Sequence, residues 1–133
     1  MTKSILLLED DLITISAIAN GLADLEMAMY PTDIALTVFA TYKDVEELVN
    51  PNSSSKYDLI LLDRDCKLAG SFHVLEIERF GAENIISISS NPEWNKAAQA
   101  RGVETLILKT YEDMPAFIKI LMGEVQNRLS NHK

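Results

Sequence analysis

Short runs of apolar residues, each closed by a polar or charged residue, constrain this chain more than any other feature. Ser4 to Leu8 (SILLL) stops at three consecutive acids, Asp58 to Leu62 (DLILL) at Asp63, Ile85 to Ile88 at Ser89, and Val103 to Leu108 (VETLIL) at Lys109. A fifth run, Ile34 to Ala40 (IALTVFA), is rich in branched residues. A strand with one wet face would alternate apolar and polar residues; near-continuous apolar runs of this length are the pattern of strands covered on both faces.

The stretches between them carry helical spacing. Ile15, Ile18, Ala19, Leu22 and Leu25 predict a helix from Leu12 to about Met27, ended before Pro31. Lys43 to Val49 is a short amphipathic stretch, followed by the turn-rich loop from Pro51 to Ser55. Ser71 is placed to cap a helix running through Phe80, with Gly81 at its end, and Asn91-Pro92 opens a further helix that Gly102 closes. From Met114 to Leu129, the residues Phe117, Ile118, Leu121, Met122 and Val125 share one helical face.

Strands alternating with helices, joined by right-handed crossovers, leave a parallel sheet with helices on both faces as the expected α/β architecture. At 133 residues, with no linker or repeat, the sequence predicts one domain over residues 1–133 and no output domain. The expected arrangement is the flavodoxin-like doubly wound sheet of five parallel strands in order 2-1-3-4-5. Its ligand crevice opens at the carboxyl ends of strands one and three.

Net charge narrows the function. At −8, with a pI near 4.7, the surface repels phosphate backbones and anionic membranes, so nucleic-acid binding is not expected. The single cysteine, Cys66, forms no internal disulfide, and the amino terminus meets acids too early to be a signal peptide. No apolar stretch is long enough for membrane insertion, and a reducing cytoplasm is the expected location.

The expected fold brings Glu9 and Asp10, after strand one, to the same rim as Asp63, after strand three. Three neighbouring carboxylates repel one another, and an oxygen-seeking divalent cation such as Mg²⁺ relieves that repulsion. Ser89 and Lys109, at the ends of strands four and five, add a hydroxyl donor and a fixed cation. Taken singly, each is an ordinary feature: a solvated acid, a strand-end hydroxyl, a surface ammonium. Together they suit phosphoryl transfer, which is catalysed by positioning and charge neutralisation, with Asp63 as the nucleophile.

The ordered set LLLEDD, DLILLD, ISISS and LILK resembles the receiver domain of bacterial response regulators, over essentially the whole chain. The resemblance implies that Asp63 accepts phosphate from a sensor histidine kinase or histidine phosphotransfer protein. The chain is then no conventional enzyme, but catalyses its own phosphorylation and dephosphorylation at Asp63. It implies Mg²⁺ held by Asp10, Asp63 and the backbone carbonyl of Asp65, with Glu9 assisting through water, Ser89 bonding the phosphoryl group and Lys109 pairing with it. Asp65 and Asn91 occupy positions that bear on phosphate lifetime, although Asn91 also reads as a helix cap before Pro92. With no output domain, the signal leaves by contact with a downstream protein.

Several positions depart from the family pattern. Thr110 follows Lys109 where the family usually has proline, and Leu106 stands where many members carry an aromatic ring. Arg64 and Asp65 are unusual neighbours of the acceptor, the loop RDCKLAGS lacks the common proline and has Gly70 where an acid often precedes a glycine, and the short Ser89 to Lys109 interval implies a trimmed fourth helix. Two other readings compete: a receiver-like interaction module silent to phosphorylation, and a small phosphohydrolase, since Asp63-Arg64-Asp65 matches the Asp-x-Asp motif of haloacid-dehalogenase-like enzymes. That motif usually opens its family's chains, whereas here it follows Glu9 and Asp10. His73, His132, Trp94 and Cys66 read as packing, surface or tail residues.

Overall fold

The apolar runs assemble into a five-stranded parallel sheet in the order β2-β1-β3-β4-β5. The strands are β1 (Thr2–Leu8), β2 (Asp33–Phe39), β3 (Leu59–Leu62), β4 (Ile85–Ser89) and β5 (Thr105–Leu108). This computed structural model describes residues 1–52, 57–64 and 70–130. Helices α1 (Leu12–Ala28), α2 (Tyr42–Asp44, continued by a π-helical turn over Val45–Val49), α3 (Ile77–Phe80), α4 (Pro92–Ala100) and α5 (Met114–Ser130) connect or follow the strands. No helix among the described residues is long and apolar enough to cross a membrane.

Alternation along each strand divides the core in two. Ile5 and Leu7 of β1, with Leu59 and Leu61 of β3, face α1 and α5, where Ile18, Leu22, Phe117, Leu121 and Val125 meet them. Leu6, Leu8, Ile60 and Leu62 face the other way, toward Val45, Val49, Phe72, Leu75, Ile77 and Ala98. All four residues of β3 are buried, which is why the sequence there shows no alternation of polarity. The edge strand β2 pairs only with β1 and is largely half-exposed. On the first face α1 and α5 approach closely at Gly21, where a Cβ would lie 3.0 Å from Ile118 Cγ2 and 3.1 Å from Met122 Cγ.

One expected element differs. The helix anticipated from Ser71 through Phe80 is broken: a 3₁₀ turn covers Phe72–Val74, Leu75 is extended (φ −55°, ψ 132°), and α3 has four residues. The reason lies in the side chains. At about 100° per residue, a continuous helix would turn Ile77 about 140° away from Phe72. The break lets Phe72, Leu75 and Ile77 all be fully buried. Carbonyls at the break take donors from outside: Asn50 Nδ2 donates to Val74 O (2.9 Å), and Arg101 donates to His73 O (2.7 Å) and to Leu75 O (2.9 Å), which also accepts from Ile77 N (2.9 Å). The Ser71 cap survives, accepting from His73 N at 3.0 Å, and Gly81 closes α3 at φ +90°.

Helix α4 opens as expected, Asn91 Oδ1 accepting from Glu93 N at 3.0 Å with Pro92 following it. It has nine residues and ends before Gly102, whose φ is +101°. Its middle is pinned to the sheet by the buried Asn95, which accepts from Ser87 Oγ (2.7 Å) and donates to Ile107 O (3.2 Å).

Candidate functional site

Hydrogen bonding between neighbouring strands continues one residue past their ends. Glu9 N donates to Phe39 O (3.3 Å), Asp63 N to Leu8 O (3.0 Å) and Lys109 N to Ser89 O (2.7 Å). This carries Glu9, Asp63, Ser89 and Lys109 onto one rim of the sheet as buried residues, between 0% and 5% exposed.

Lys109 is the centre of the arrangement. Its Nζ lies 2.9 Å from Glu9 Oε1 and 3.1 Å from Asp63 Oδ2. Burial opposes its charge, but the two carboxylates outweigh that effect and hold its pKa above the ordinary lysine value. The Tyr111 ring covers the same ammonium, 5.2 Å from Nζ to the ring centroid. The Lys109–Thr110 peptide is trans, as expected for a non-proline bond; among the described residues only Tyr30–Pro31 is cis.

The acids divide the remaining work. Glu9 Oε2 accepts from the backbone N–H groups of Asp10 (3.1 Å) and Asp11 (3.2 Å), at the entrance to α1. Burial first, and the charge of Asp63 second, still push its pKa up from 4.5 to about 7 against the pull of Lys109. Asp10, half-buried, is raised by the same two causes. Asp11 serves the helix: its Oδ2 accepts from Thr14 N (3.0 Å) and Thr14 Oγ1 (2.6 Å) as the α1 cap. Asp63 Oδ1 accepts from Arg64 N at 2.8 Å.

Glu9, Asp10 and Asp63 each offer a carboxylate oxygen, all within 4.8 Å of one another. Ionised, three carboxylates against the Lys109 ammonium leave −2, the charge a divalent cation neutralises, and an all-oxygen donor set suits a hard one. Burial first, and the neighbouring Asp63 charge second, raise the pKa values of Glu9 and Asp10, so the cluster disfavours full ionisation without a cation. Ser89 Oγ accepts from Asn91 N at 3.0 Å, which leaves its own O–H as a donor.

The structure therefore brings together five residues singled out in the sequence: Glu9, Asp10, Asp63, Ser89 and Lys109. Asn91 caps α4 from the next loop. Asp65 and Cys66, in the loop after Asp63, and His132, in the tail, lie outside the described residues. Sequence reasoning missed the direct Glu9–Lys109 ion pair, having assigned Glu9 to the cation through water. It missed the Tyr111 cover too, which an aromatic two residues after the lysine could have signalled. It also missed that the Arg64 guanidinium lies over the Trp94 ring, 5.0 Å from its centroid; nothing local links two residues so far apart in sequence.

No family sequence model and no curated relative matches the chain. Solved structures do. A phosphorylated cyanobacterial phytochrome response regulator, RcpA, aligns with a TM-score of 0.74 at 20% identity, covering 100% of this chain and 98% of that one. The Mn²⁺-bound form of response regulator Rcp1 aligns at 0.73 and 18% identity, over 98% and 97% of the two chains. The bacteriophytochrome response regulator AtBRR aligns at 0.54 and 16%, over 92% and 94%. This chain has the fold of response-regulator receivers, along its full length.

Proposed function

We propose that this protein is a phosphorylation switch whose acceptor is Asp63. The observation that carries the reading is the buried Asp63 carboxylate, 3.1 Å from Lys109 Nζ and clustered with the oxygens of Glu9 and Asp10. A carboxylate so placed acts as a nucleophile toward phosphorus, with positive charge fixed beside it. An Asp63 oxygen bonds to phosphorus as the P–N bond of a donor phosphohistidine breaks. The bond's electron pair stays on the imidazole nitrogen, which takes up a proton. Water attack on the resulting acyl phosphate returns the carboxylate and inorganic phosphate.

Lys109 holds Asp63 in place before transfer and shares its N–H donors with the phosphoryl oxygens afterwards. The Ser89 hydroxyl donates to a phosphoryl oxygen, drawing the β4 end toward Asp63. When bound, a hard divalent cation, Mg²⁺ in a cell, supplies further neutralisation of phosphoryl charge; Asp10 and Asp63 would hold it, with Glu9 beside them and, by the sequence resemblance, Asp65. Asp65 and Asn91 then act on phosphate lifetime. The similar structures are response regulators of phytochromes, which favours a sensor histidine kinase, or a histidine phosphotransfer protein, as donor. The readout is altered contact with a downstream protein.

The test is incubation with Mg²⁺ and acetyl phosphate followed by intact-mass measurement. One phosphoryl adduct is expected on the wild type and none on Asp63→Asn. An adduct that persists in the variant, or none on the wild type, overturns the reading.

A further inference from the structure

Two threads lead from the rim to the first turn of α4. One is the bond from Asn91 N to Ser89 Oγ, already described. The other begins at Arg64, directly after Asp63. Its backbone is fixed on both sides: its N–H donates to Asp63 Oδ1 at 2.8 Å, and its carbonyl accepts from Phe72 N at 2.7 Å. Its guanidinium lies over the Trp94 ring, and the Trp94 backbone N–H donates to Asn91 O at 3.0 Å inside that first turn. The acceptor strand and α4 are thus joined by a cation on an aromatic face. Leu106 on β5, part-buried against the second core cluster, offers no ring of its own to move there.

We propose that Arg64 and Trp94 form a latch between the acceptor strand and α4, closed at rest and released when Asp63 is phosphorylated. The inference rests on the assignment of Asp63 as acceptor. A guanidinium over an indole is held by the ring quadrupole and by dispersion. An acyl phosphate replaces a single negative charge by up to two, with several strong acceptor oxygens one residue away, and a guanidinium binds such oxygens through charge-assisted and bidentate hydrogen bonds. Phosphorylation therefore competes for Arg64 against Trp94. Arg64 is a positioning residue, acting on α4 through the ring, and the ring it leaves is free to meet a partner.

Trp94 is the one tryptophan in the chain, so its emission reports the latch directly. The experiment follows that emission in the full chain with Mg²⁺, before and after acetyl phosphate, with intact mass read on the same samples and circular dichroism to confirm folding. The wild type is expected to gain an adduct and shift its emission. Arg64→Gln is expected to gain the adduct with the emission response lost, its resting spectrum already close to that of the phosphorylated wild type. Arg64→Lys, which keeps a cation without the planar guanidinium, is expected to give a reduced response. An adduct on wild type without an emission change overturns the latch and leaves Asp63 as acceptor. An undiminished response in either variant, or loss of the adduct in Arg64→Gln, also overturns the latch. Absence of an adduct on wild type removes the acceptor assignment and the latch with it.

Discussion

The two faces of the sheet bury comparable sets of aliphatic residues by different means. One is covered by α1 and α5, each a continuous helix of 17 residues, meeting closely at Gly21. The other is covered by short pieces: a turn of α-helix running into a π turn, a 3₁₀ turn, a four-residue helix and the nine-residue α4. Side chains hold those pieces, Asn50 and Arg101 reaching across to backbone carbonyls of the 72–80 segment. The first face draws its stability from apolar packing along whole helices. The second adds a few polar clamps to its apolar packing, because no long helix spans it.

The contrast breaks most directly by truncation. Leu121→Ala, at a fully buried position on α5, is expected to cost about 2 to 5 kcal/mol in denaturant unfolding. A much smaller loss would mean that the long-helix face is not the main source of stability.

The rim where the faces meet makes its own contribution, on the order of a few kcal/mol. Glu9 has a folded pKa raised from 4.5 to about 7, so the folded state holds the extra proton. That stability is fully present below pH 4.5 and is lost as pH rises through about 7; Asp10 shifts in the same direction. Without divalent cation, wild type should lose stability across this window relative to Glu9→Gln, as measured by urea titrations at several pH values. On the proposed function, Mg²⁺ would compete with that proton and is expected to bind more tightly at pH 8 than at pH 6. A flat difference between the two proteins would place the unfavourable charge elsewhere.

On the clamped face, Arg101→Ala is expected to cost about 1 to 3 kcal/mol, because it removes the Arg101 donors to the His73 and Leu75 carbonyls, the second of which keeps only its bond from Ile77 N (2.9 Å). Faster amide hydrogen exchange should be confined to residues 72–80 and the start of β4. If exchange instead rises evenly along α5, the two faces are not separable. The smallest effect sharpens the long-helix side: Gly123→Ala, where an added Cβ meets nothing within 4 Å, should stabilise by about 0.5 to 1 kcal/mol. Gly21→Ala should gain less, since its Cβ would crowd Ile118 and Met122.

How far the sequence could be read follows the same division. The strands and the two long helices were legible because burial on both faces of a sheet, or along one helical stripe, leaves a period in the residues themselves. The segment after Ser71 reads as a continuous helix because its capping signals are real; what breaks it is the demand that Ile77 be buried together with Phe72 and Leu75. The clamping carbonyl contacts come from Asn50 and Arg101, each more than 20 positions away, and leave no local trace. The rim was legible residue by residue, since strand ends in this topology must converge. Its internal pairing was not: that Lys109 would lie against Glu9 as well as Asp63, and Arg64 against Trp94, depends on side-chain directions that spacing does not encode.

Asn95 has a mechanical consequence. A buried amide that joins a β4 hydroxyl to a β5 carbonyl cannot slide without breaking both bonds in a site closed to water. Translation of α4 breaks both bonds at once, whereas a tilt about Asn95 keeps them and strains only the Arg101 contacts at the far end. The helix is a see-saw with its fulcrum near Asn95, Trp94 close to the pivot, and Arg101 at the end of the longer arm, gripping the turn after Phe72. A small tilt started at the tryptophan arrives enlarged at the arginine.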